Sequence, residues 1–207
     1  MDSTLRALAT GCKGFMDESE GLRLFELARE SASLGPVLEV GSYCGKSAVY
    51  LGAGVQEAGG MLVCVDHHRG SEENQPGWEY HDAELWDHEA DAMDTLPWLR
   101  RTLRQAGLED CTVVVVARSV HLASMWSQPL GMLFIDGGHT HEAANNDYEA
   151  WSGKVMPGGI LAIHDLFPDP AEGGQAPIEI YRRAVASGDF DELATTGTLG
   201  VLRRRTG

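Results

Sequence analysis

The sequence predicts an α/β protein in which a mostly parallel sheet carries helices on both faces. Short apolar segments of strand length alternate along the chain with longer segments of helical period. The apolar segments, such as "CTVVVVA", lack the alternation of polar and apolar residues that marks a half-exposed strand. We therefore expect the strands to be buried on both sides.

The size of the chain fits one domain. It has 207 residues, of which 43% are hydrophobic, and this is enough to bury a substantial core. We expect a single domain over residues 1–207, with an N-terminal helical segment over 1–35 and a lid insertion over 67–82. The longest apolar runs are too short to cross a membrane, and the N-terminus lacks the pattern of a secretory signal.

Net charge and cysteine content indicate which partners and which cellular compartment to expect. A formal net charge of -15 repels nucleic-acid phosphates, so we expect no nucleic acid as a partner. We expect no membrane either, because the apolar runs are short. The acidity also has a plainer explanation, which is solubility. The cysteines are scattered, which favours reduced thiols in the cytoplasm over a disulfide framework. They are Cys12, Cys44, Cys64 and Cys111.

The first half of the chain predicts helices and strands in alternation. Leu22, Phe25 and Ala28 share one stripe of a first helix. Gly59 and Gly60 end the helix that follows the first strand. In chain order we expect a helix over about 18–32, the strand "PVLEVG", a helix over about 45–58, the strand "MLVCVD" and a helix over about 83–106.

The second half continues this alternation and closes with an antiparallel strand pair. Pro177 suits the first turn of the last helix, and Gly197 suits the turn between the last two strands. In chain order we expect the strand "CTVVVVA", a short helix near "SVHLASMW", the strand "GMLFID", a helix over "HEAANNDYEAW", the strand "GGILAIHD", the loop "LFPDPAEGGQ", the helix at Pro177, and the pair "DELATTG" and "TLGVLRRR".

The stretch "HHRGSEENQPGWEYHD" is too long for an ordinary connection between a strand and a helix. Such loops are often functional lids, although a surface excursion is equally compatible with the sequence. Trp78 and Tyr80 within it could stack on an aromatic or sugar-like acceptor, or pack the lid against the body. Its second half, "QPGWEYHD", and the later segment "LFPDPAEGGQAP" are both expected to overhang the same rim of the site.

The loop in "VLEVGSYCGKSAV" comes close to two phosphate-binding motifs and matches neither. A P-loop has four residues between its glycines, whereas Gly41 and Gly45 are separated by three. Tyr43 stands where the dinucleotide fingerprint has its second glycine. The loop therefore indicates a ligand other than a triphosphate or a pyrophosphate.

Acidic residues stand at the carboxyl ends of the predicted strands, where α/β sheets bind their ligands. They would repel a triphosphate. Asp66 is placed to accept the hydroxyls of a ribose, and Glu39 could hold an ammonium group. A ligand with hydroxyls and a positive centre, such as S-adenosylmethionine, has the matching chemistry. The strand-end residues are Glu39, Asp66, Asp136, His164 and Asp165.

Four segments in this order and spacing resemble the class I S-adenosylmethionine-dependent methyltransferases, and most closely the small bacterial O-methyltransferase-like group. They are "VLEVGSYCGKSAVYL", "VCVD", "FIDGGHTHEA" and "MPGGILAIHD". The resemblance implies a Rossmann-like sheet of seven strands in the order 3-2-1-4-5-7-6, with strand 7 antiparallel. It implies S-adenosylmethionine as cofactor and O-methylation of a small-molecule acceptor, such as a secondary metabolite or a sugar.

The resemblance also implies cofactor-binding residues. Arg118 departs from the pattern, because many relatives carry an acid at that position. Trp126 is expected in the core. The implied cofactor-binding residues are Glu39, Gly41, Ser42, Tyr43, Gly45, Ser47, Asp66, His67, Arg118, Ser119 and Asp136.

The resemblance implies two catalytic features. His139 lies three residues after Asp136, where catechol-type O-methyltransferases carry a catalytic lysine, and it could serve as a base or only support the loop. A divalent metal is the other feature, with Asp136, His164 and Asp165 as ligands. Histidine among these ligands favours a transition metal over magnesium. Asp136 could instead only shape the pocket.

Other functions stay open at this point. A P-loop phosphotransferase and a binding protein that keeps the fold without turnover are the main alternatives. A nicotinamide dehydrogenase is weaker, because the glycine fingerprint is missing. Whether the chain forms a homo-oligomer also stays open.

Overall fold

The computed structural model describes residues 1–206, in which a central sheet is flanked by helices. The strands are β1 (Val37–Val40), β2 (Leu62–Asp66), β3 (Trp86–Asp87), β4 (Ala92–Met93), β5 (Thr112–Val116), β6 (Leu130–Ile135), β7 (Val155–Ile163), β8 (Phe190–Glu192) and β9 (Gly200–Arg204). The helices are α1 (Ser3–Gly11), α2 (Glu18–Ser31), α3 (Lys46–Ala58), α4 (Leu96–Ala106), α5 (Ser119–Met125), α6 (His141–Trp151) and α7 (Ala176–Ala186).

The sheet has seven strands in the order β5-β2-β1-β6-β7-β9-β8. The five strands from β5 to β7 are parallel, and β9 runs antiparallel to both of its neighbours. Since β3 and β4 form a separate small pair, this order is the predicted 3-2-1-4-5-7-6 with strand 7 antiparallel. The predicted fold is confirmed.

Each face of the sheet packs against a separate layer of helices. Tyr50 and Leu24 belong to the core that lies against α2 and α3, and Trp151 belongs to the core on the opposite face. This arrangement confirms the expected cover on both faces. No helix within residues 1–206 combines the length and apolar character that a membrane crossing needs.

The strand β5 departs from the expected burial. Val113 and Val116 are 46% and 56% exposed, because β5 is an edge strand that pairs only with β2 in the described part of the sheet. The prediction that "CTVVVVA" is buried on both sides was therefore wrong. A continuous apolar run fits an edge strand as well as a central one, so periodicity cannot separate the two.

The predicted helix over about 83–106 was wrong in its first half. The chain makes a short 3₁₀ turn over Ala83–Leu85 and then the antiparallel pair β3 and β4, and α4 begins only at Leu96. Trp86 pairs with Met93 across this small hairpin, and Met93 is buried in a cluster with Cys44. The insertion after β2 thus extends to residue 95, beyond its predicted end at 82.

Smaller differences concern element ends. The strand β7 begins at Val155, three residues before the predicted "GGILAIHD". The predicted N-terminal helical segment contains two helices, α1 and α2, which are joined by a loop over residues 12–17. That loop turns back toward the carboxyl ends of the strands, where the site lies.

The contact between α2 and α3 tests the packing. Replacing Gly54 with alanine should destabilise the protein by about 1–3 kcal/mol, because the new Cβ would lie 2.4 Å from the carbonyl oxygen of Phe25. Gly11→Ala is the matched control, since nothing lies within 4 Å of its added Cβ. Urea unfolding of both variants measures the effect. Equal midpoints for the two would contradict this packing.

Candidate active site

A cavity of about 720 Å³ opens at the carboxyl ends of the parallel strands. It is bordered by the glycine loop after β1, the ends of β2, β6 and β7, and the start of α5. The insertion after β2 and the loop over 166–175 overhang it, as predicted for these two segments. The site therefore lies where the strand order reverses, between the neighbouring strands β1 and β6, which is the usual ligand position in such sheets.

The glycine loop is built from left-handed backbone conformations. Gly41, Tyr43 and Gly45 have φ values of 88°, 44° and 94°. A Cβ on Gly41 would lie 2.1 Å from the carbonyl oxygen of Asp136, so glycine is required there by the neighbouring backbone. The close approach at Gly41 is thus made to the backbone of the protein itself. The loop then turns into α3 at Lys46.

Asp66 anchors this loop. Its Oδ2 accepts hydrogen bonds from the backbone N–H groups of Ser42 at 3.0 Å and Tyr43 at 2.9 Å. Its Oδ1 accepts from the N–H of His68 at 2.7 Å. The carboxylate also borders the cavity, where its remaining lone pairs can accept further hydrogen bonds. Asp66 therefore joins β2 to the loop and presents an acceptor to a ligand.

Glu39 lies behind the loop and does not border the cavity. Its Oε1 accepts a hydrogen bond from the hydroxyl of Ser47, while Oε2 has no partner among residues 1–206. Burial raises the pKa of Glu39 to about 7. Strand alternation turns the side chain of Glu39 toward α3, so it lies one hydrogen bond behind the cavity, at Ser47. Its contact with an ammonium group stays a prediction.

A buried histidine joins the acids at the ends of β6 and β7. His164 Nε2 lies 3.0 Å from Glu20, and Nδ1 lies 3.3 Å from Asp136 and 3.4 Å from Asp165. Burial opposes its charge, but these carboxylates, Asp136 foremost, outweigh burial and raise the pKa of His164 far above its usual value. His164 is therefore protonated and has no free lone pair for a metal.

His139 faces the same acids from the other side. Its Nε2 lies 3.0 Å from Asp165 Oδ2, and its Nδ1 lies 3.3 Å from Glu73 Oε2. The hydrogen bond to Asp165 is the main cause that raises the pKa of His139 to about 9. Ligand atoms of Asp136, His139 and Asp165 all lie within 4.8 Å of one another.

The structure therefore revises the predicted metal set of Asp136, His164 and Asp165. Asp136 and Asp165 both contact His164, but they form a group of mutually close ligand atoms with His139 and not with His164. His139 takes its place in the group whose atoms could surround one ion. Sequence order could not separate the two histidines, because each is close to a strand-end acid.

The side of the cavity near β5 and α5 carries a second polar group. The hydroxyl of Ser119 donates to Asp147, and burial raises the pKa of that carboxyl to about 6. His67 and Arg118 border the cavity and are exposed. The predicted residues Ser119, His67 and Arg118 thus meet at one side. Asp147 was missed, because a lone acid within a helix gives no signal in sequence.

The mouth of the cavity is formed by aromatic rings from distant segments. The ring of Phe15 lies 5.1 Å from that of Tyr80 and 6.0 Å from that of Tyr43, and Phe15 is 66% exposed. Lys13 pairs with Asp82 and Glu84 of the insertion. These contacts connect the N-terminal loop to the insertion.

Only one of the two predicted lid aromatics borders the cavity. Tyr80 does so, whereas Trp78 is exposed outside it. The predicted role of Trp78 at the acceptor site is therefore not supported. Trp126 packs in the core beside Trp151, as expected.

Several other residues of the site could not be assigned to it from the sequence. Phe15 and Lys13 lie in a loop without a motif, and Glu73 lies in the irregular insertion. Glu20 had a visible signal, since it closes a capping box with Asp17 at the start of α2. That signal indicates a helix start and says nothing of His164, which is far away in sequence.

Comparison with known proteins identifies the family of this chain. A family model described as a methyltransferase domain matches residues 38–166. The structure is similar to the O-methyltransferase TomG from Streptomyces achromogenes, involved in tomaymycin synthesis and solved with SAM, at 17% identity and a TM-score of 0.66, over 100% of this chain and 91% of that chain.

Two further solved structures share the fold. The O-methyltransferase from Bacillus cereus in complex with SAH is 18% identical, with a TM-score of 0.64 over 99% of this chain and 92% of that chain. The SAH-bound methyltransferase PaMTH1 from Podospora anserina is 12% identical, with a TM-score of 0.67 over 100% of this chain and 89% of that chain. At these identities the likeness shows the fold.

The ion pair between Glu20 and His164 can be tested through stability. Glu20→Gln should destabilise the protein by about 3 kcal/mol near neutral pH, because a buried imidazolium loses one of its carboxylates. The pKa of Glu20 is lowered to about 2 from 4.5, against the effect of burial, by the hydrogen bond to His164 and by bonds from Thr198. Its contribution is thus present above pH 4.5 and is lost as the pH falls toward 2.

Urea unfolding of wild type and Glu20→Gln at neutral and at acidic pH measures this effect. The difference between the two proteins should shrink below pH 4.5. Glu18→Gln, an exposed position on the same helix, is the control and should change little at either pH. A difference that does not depend on pH would contradict the ion pair.

Proposed function

Because this chain belongs to the methyltransferase-domain family and is an S-adenosylmethionine-dependent methyltransferase, we propose that it methylates a hydroxyl oxygen of a small molecule in this cavity. The observation that carries the proposal is the convergence of Asp136, His139 and Asp165 on one point of the cavity wall. Such a cluster can bind and deprotonate a hydroxyl, and methyl transfer to a neutral oxygen requires that a proton is lost.

The polar groups around the glycine loop fit the cofactor. The hydroxyl of Ser42 is buried, borders the cavity and has no hydrogen-bond partner within the described chain. Asp66 can accept hydrogen bonds from the hydroxyl groups of a ribose. Ser119 and Asp147 offer polar contacts for the adenine ring. When bound, S-adenosylmethionine supplies a methyl group on a positively charged sulfur. The acidic residues bordering the cavity favour that charge.

The loop geometry disfavours the phosphotransferase alternative. In a P-loop the backbone N–H groups point at phosphates. Here the N–H groups of Ser42 and Tyr43 donate to the carboxylate of Asp66. A phosphate would have to displace a carboxylate that is already bonded and would meet further acids nearby.

We further propose that Asp136, His139 and Asp165 hold a divalent metal ion. A histidine ligand with two carboxylates suits a transition metal better than magnesium. When bound, such an ion lowers the pKa of an acceptor hydroxyl. His139 must lose its proton to act as a ligand. Since its pKa is raised to about 9, metal affinity should fall as the pH falls below that value.

The predicted role of His139 as a metal-free base remains the second candidate. An imidazole accepts a proton only while it is neutral. With a pKa raised to about 9 by Asp165, His139 is mostly protonated at neutral pH in the geometry of the structure. This candidate therefore requires activity that rises through that pH and persists after metal is removed.

The proposed acceptor is a small molecule with a flat or aromatic part. The rings of Phe15, Tyr43 and Tyr80 at the mouth offer stacking surfaces. The acidic border disfavours acceptors that carry phosphate. The role of TomG in tomaymycin synthesis supports a secondary metabolite as acceptor, and the free thiols support a reducing, cytoplasmic setting. Nucleic acid and membranes remain expected non-partners.

The metal site is tested by titration of the wild type with Mn²⁺ or Co²⁺. His139→Ala should lower metal affinity about 10–100-fold or more, in line with losses seen when a site loses one of its supporting groups. His141→Ala is the matched control, because that histidine is exposed and pairs with Glu179. Methylation of a phenolic acceptor should also fall about 10²–10⁴-fold in His139→Ala.

If the metal proposal holds, a chelator abolishes methylation and added metal restores it. Full activity in the chelator with loss only in His139→Ala would instead support the base role of His139. Unchanged methylation in Asp136→Asn and His139→Ala would contradict a catalytic role for these residues. Binding of S-adenosylmethionine to the wild type without any methylation would favour a binding protein without turnover.

The cofactor site is tested by isothermal titration with S-adenosylmethionine. Asp66→Asn should weaken binding about tenfold or more, because it removes both a charged acceptor and one anchor of the glycine loop. Asp94→Asn, an acid of the insertion outside the cavity, is the control. Binding of ATP with magnesium and none of S-adenosylmethionine would support the phosphotransferase alternative instead.

A further inference from the structure

The free edge of β5 has the features of a pairing surface. Its five residues carry no charge and no proline, and its register with β2 is continuous. Val113 and Val116 are exposed on it. An exposed apolar edge strand offers unpaired N–H and C=O groups to another strand. Most natural proteins protect such an edge.

The opposite edge of the same sheet is protected. The strand β8 has three residues, and two of them are acidic. Asp191 pairs with Arg205, and Glu192 accepts a hydrogen bond from Tyr181. Short length and charge are the usual means of blocking an edge. The contrast indicates that the β5 edge is left open for a partner.

We propose that two copies of this chain pair through antiparallel β5 strands, centred on Val114. The argument begins with the direction of the backbone groups. The N–H of Ala117 donates to the carbonyl of Asp66 in β2. Because backbone groups of successive residues alternate between the two edges of a strand, those of Thr112, Val114 and Val116 face the free edge.

These outward groups select the register. An antiparallel pair places hydrogen-bonded residues directly opposite each other. With Val114 opposite its own copy, Thr112 lies opposite Val116 of the partner subunit, and the reverse pair follows by symmetry. This register uses every outward group of the strand. A twofold axis through Val114 thus makes the edge complementary to itself.

Charges beyond the strand ends support the same register. Asp110, in the 3₁₀ turn before β5, and Arg118, just after the strand, lie equally far in sequence from Val114. This register therefore brings Arg118 to the same end of the strand pair as the partner's Asp110. Both are exposed, and neither has an ion-pair partner anywhere in the described chain. Opposite charges facing each other across a strand pair stabilise it, whereas like charges oppose it.

The pairing also bears on the site, because Arg118 borders the cavity. In the dimer the partner's Asp110 lies beside that arginine and holds it at the rim. The dimer contact is small for a permanent assembly, and each chain has a net charge of -15. We therefore expect an equilibrium between monomer and dimer that depends on concentration and is favoured by salt.

Sedimentation analysis of the full-length wild type over a range of concentrations tests this proposal. Val114→Pro removes an outward N–H that the pairing with β2 does not use, so the fold should persist while the dimer is lost. Met61→Thr, at an exposed apolar residue outside β5, is the control and should leave the dimer intact.

A charge exchange gives a test that does not depend on proline. Asp110→Arg and Arg118→Asp should each raise the dimer dissociation constant about tenfold or more, because two ion pairs per dimer become repulsive. The double variant, with both charges exchanged, should restore the dimer. A wild type that stays monomeric overturns the proposal. So does a dimer that all these variants leave intact, or one that the double variant does not restore.

Discussion

One buried histidine organises the ligand end of the sheet. His164 is 4% exposed and meets the carboxylates of Glu20, Asp136 and Asp165. Without the imidazolium these acids would repel one another, and without them a buried positive charge would be unstable. Glu20 also accepts two hydrogen bonds from Thr198, so the same cluster joins α2, the ends of β6 and β7, and the last hairpin.

The segments around the His164 cluster contribute to different parts of the site. Asp66 holds the glycine loop in a fixed shape through backbone N–H groups, which suits a cofactor of constant structure. The mouth is made by the N-terminal loop and the insertion, which meet through Phe15 and Tyr80. Glu73 of the insertion also reaches His139. The insertion therefore contacts both the mouth of the cavity, through Tyr80, and the proposed catalytic cluster, through Glu73.

Much of the fold could be predicted from sequence, because hydrophobic periodicity and glycine positions are local signals. Element order, strand order and the place of the site followed from them and from the family resemblance. The segment 83–95 could not be predicted, since Trp86 and Met93 form a hairpin only through burial against the body. The exposure of β5 could not be predicted from its apolar run. Only the strand order implied by the family resemblance, which places this strand at an edge, indicates it.

The sequence by itself determined which chemical groups stand at the strand ends, since each strand carries its acid to the same edge of a parallel sheet. Only the tertiary structure decided what each group faces. Glu39 lies behind the loop, and His164 contacts Glu20. His139, and not His164, joins Asp136 and Asp165 in the group of mutually close ligand atoms. The reason is physical: side-chain direction and ion pairing depend on neighbours more than a hundred residues away, as between Glu20 and His164.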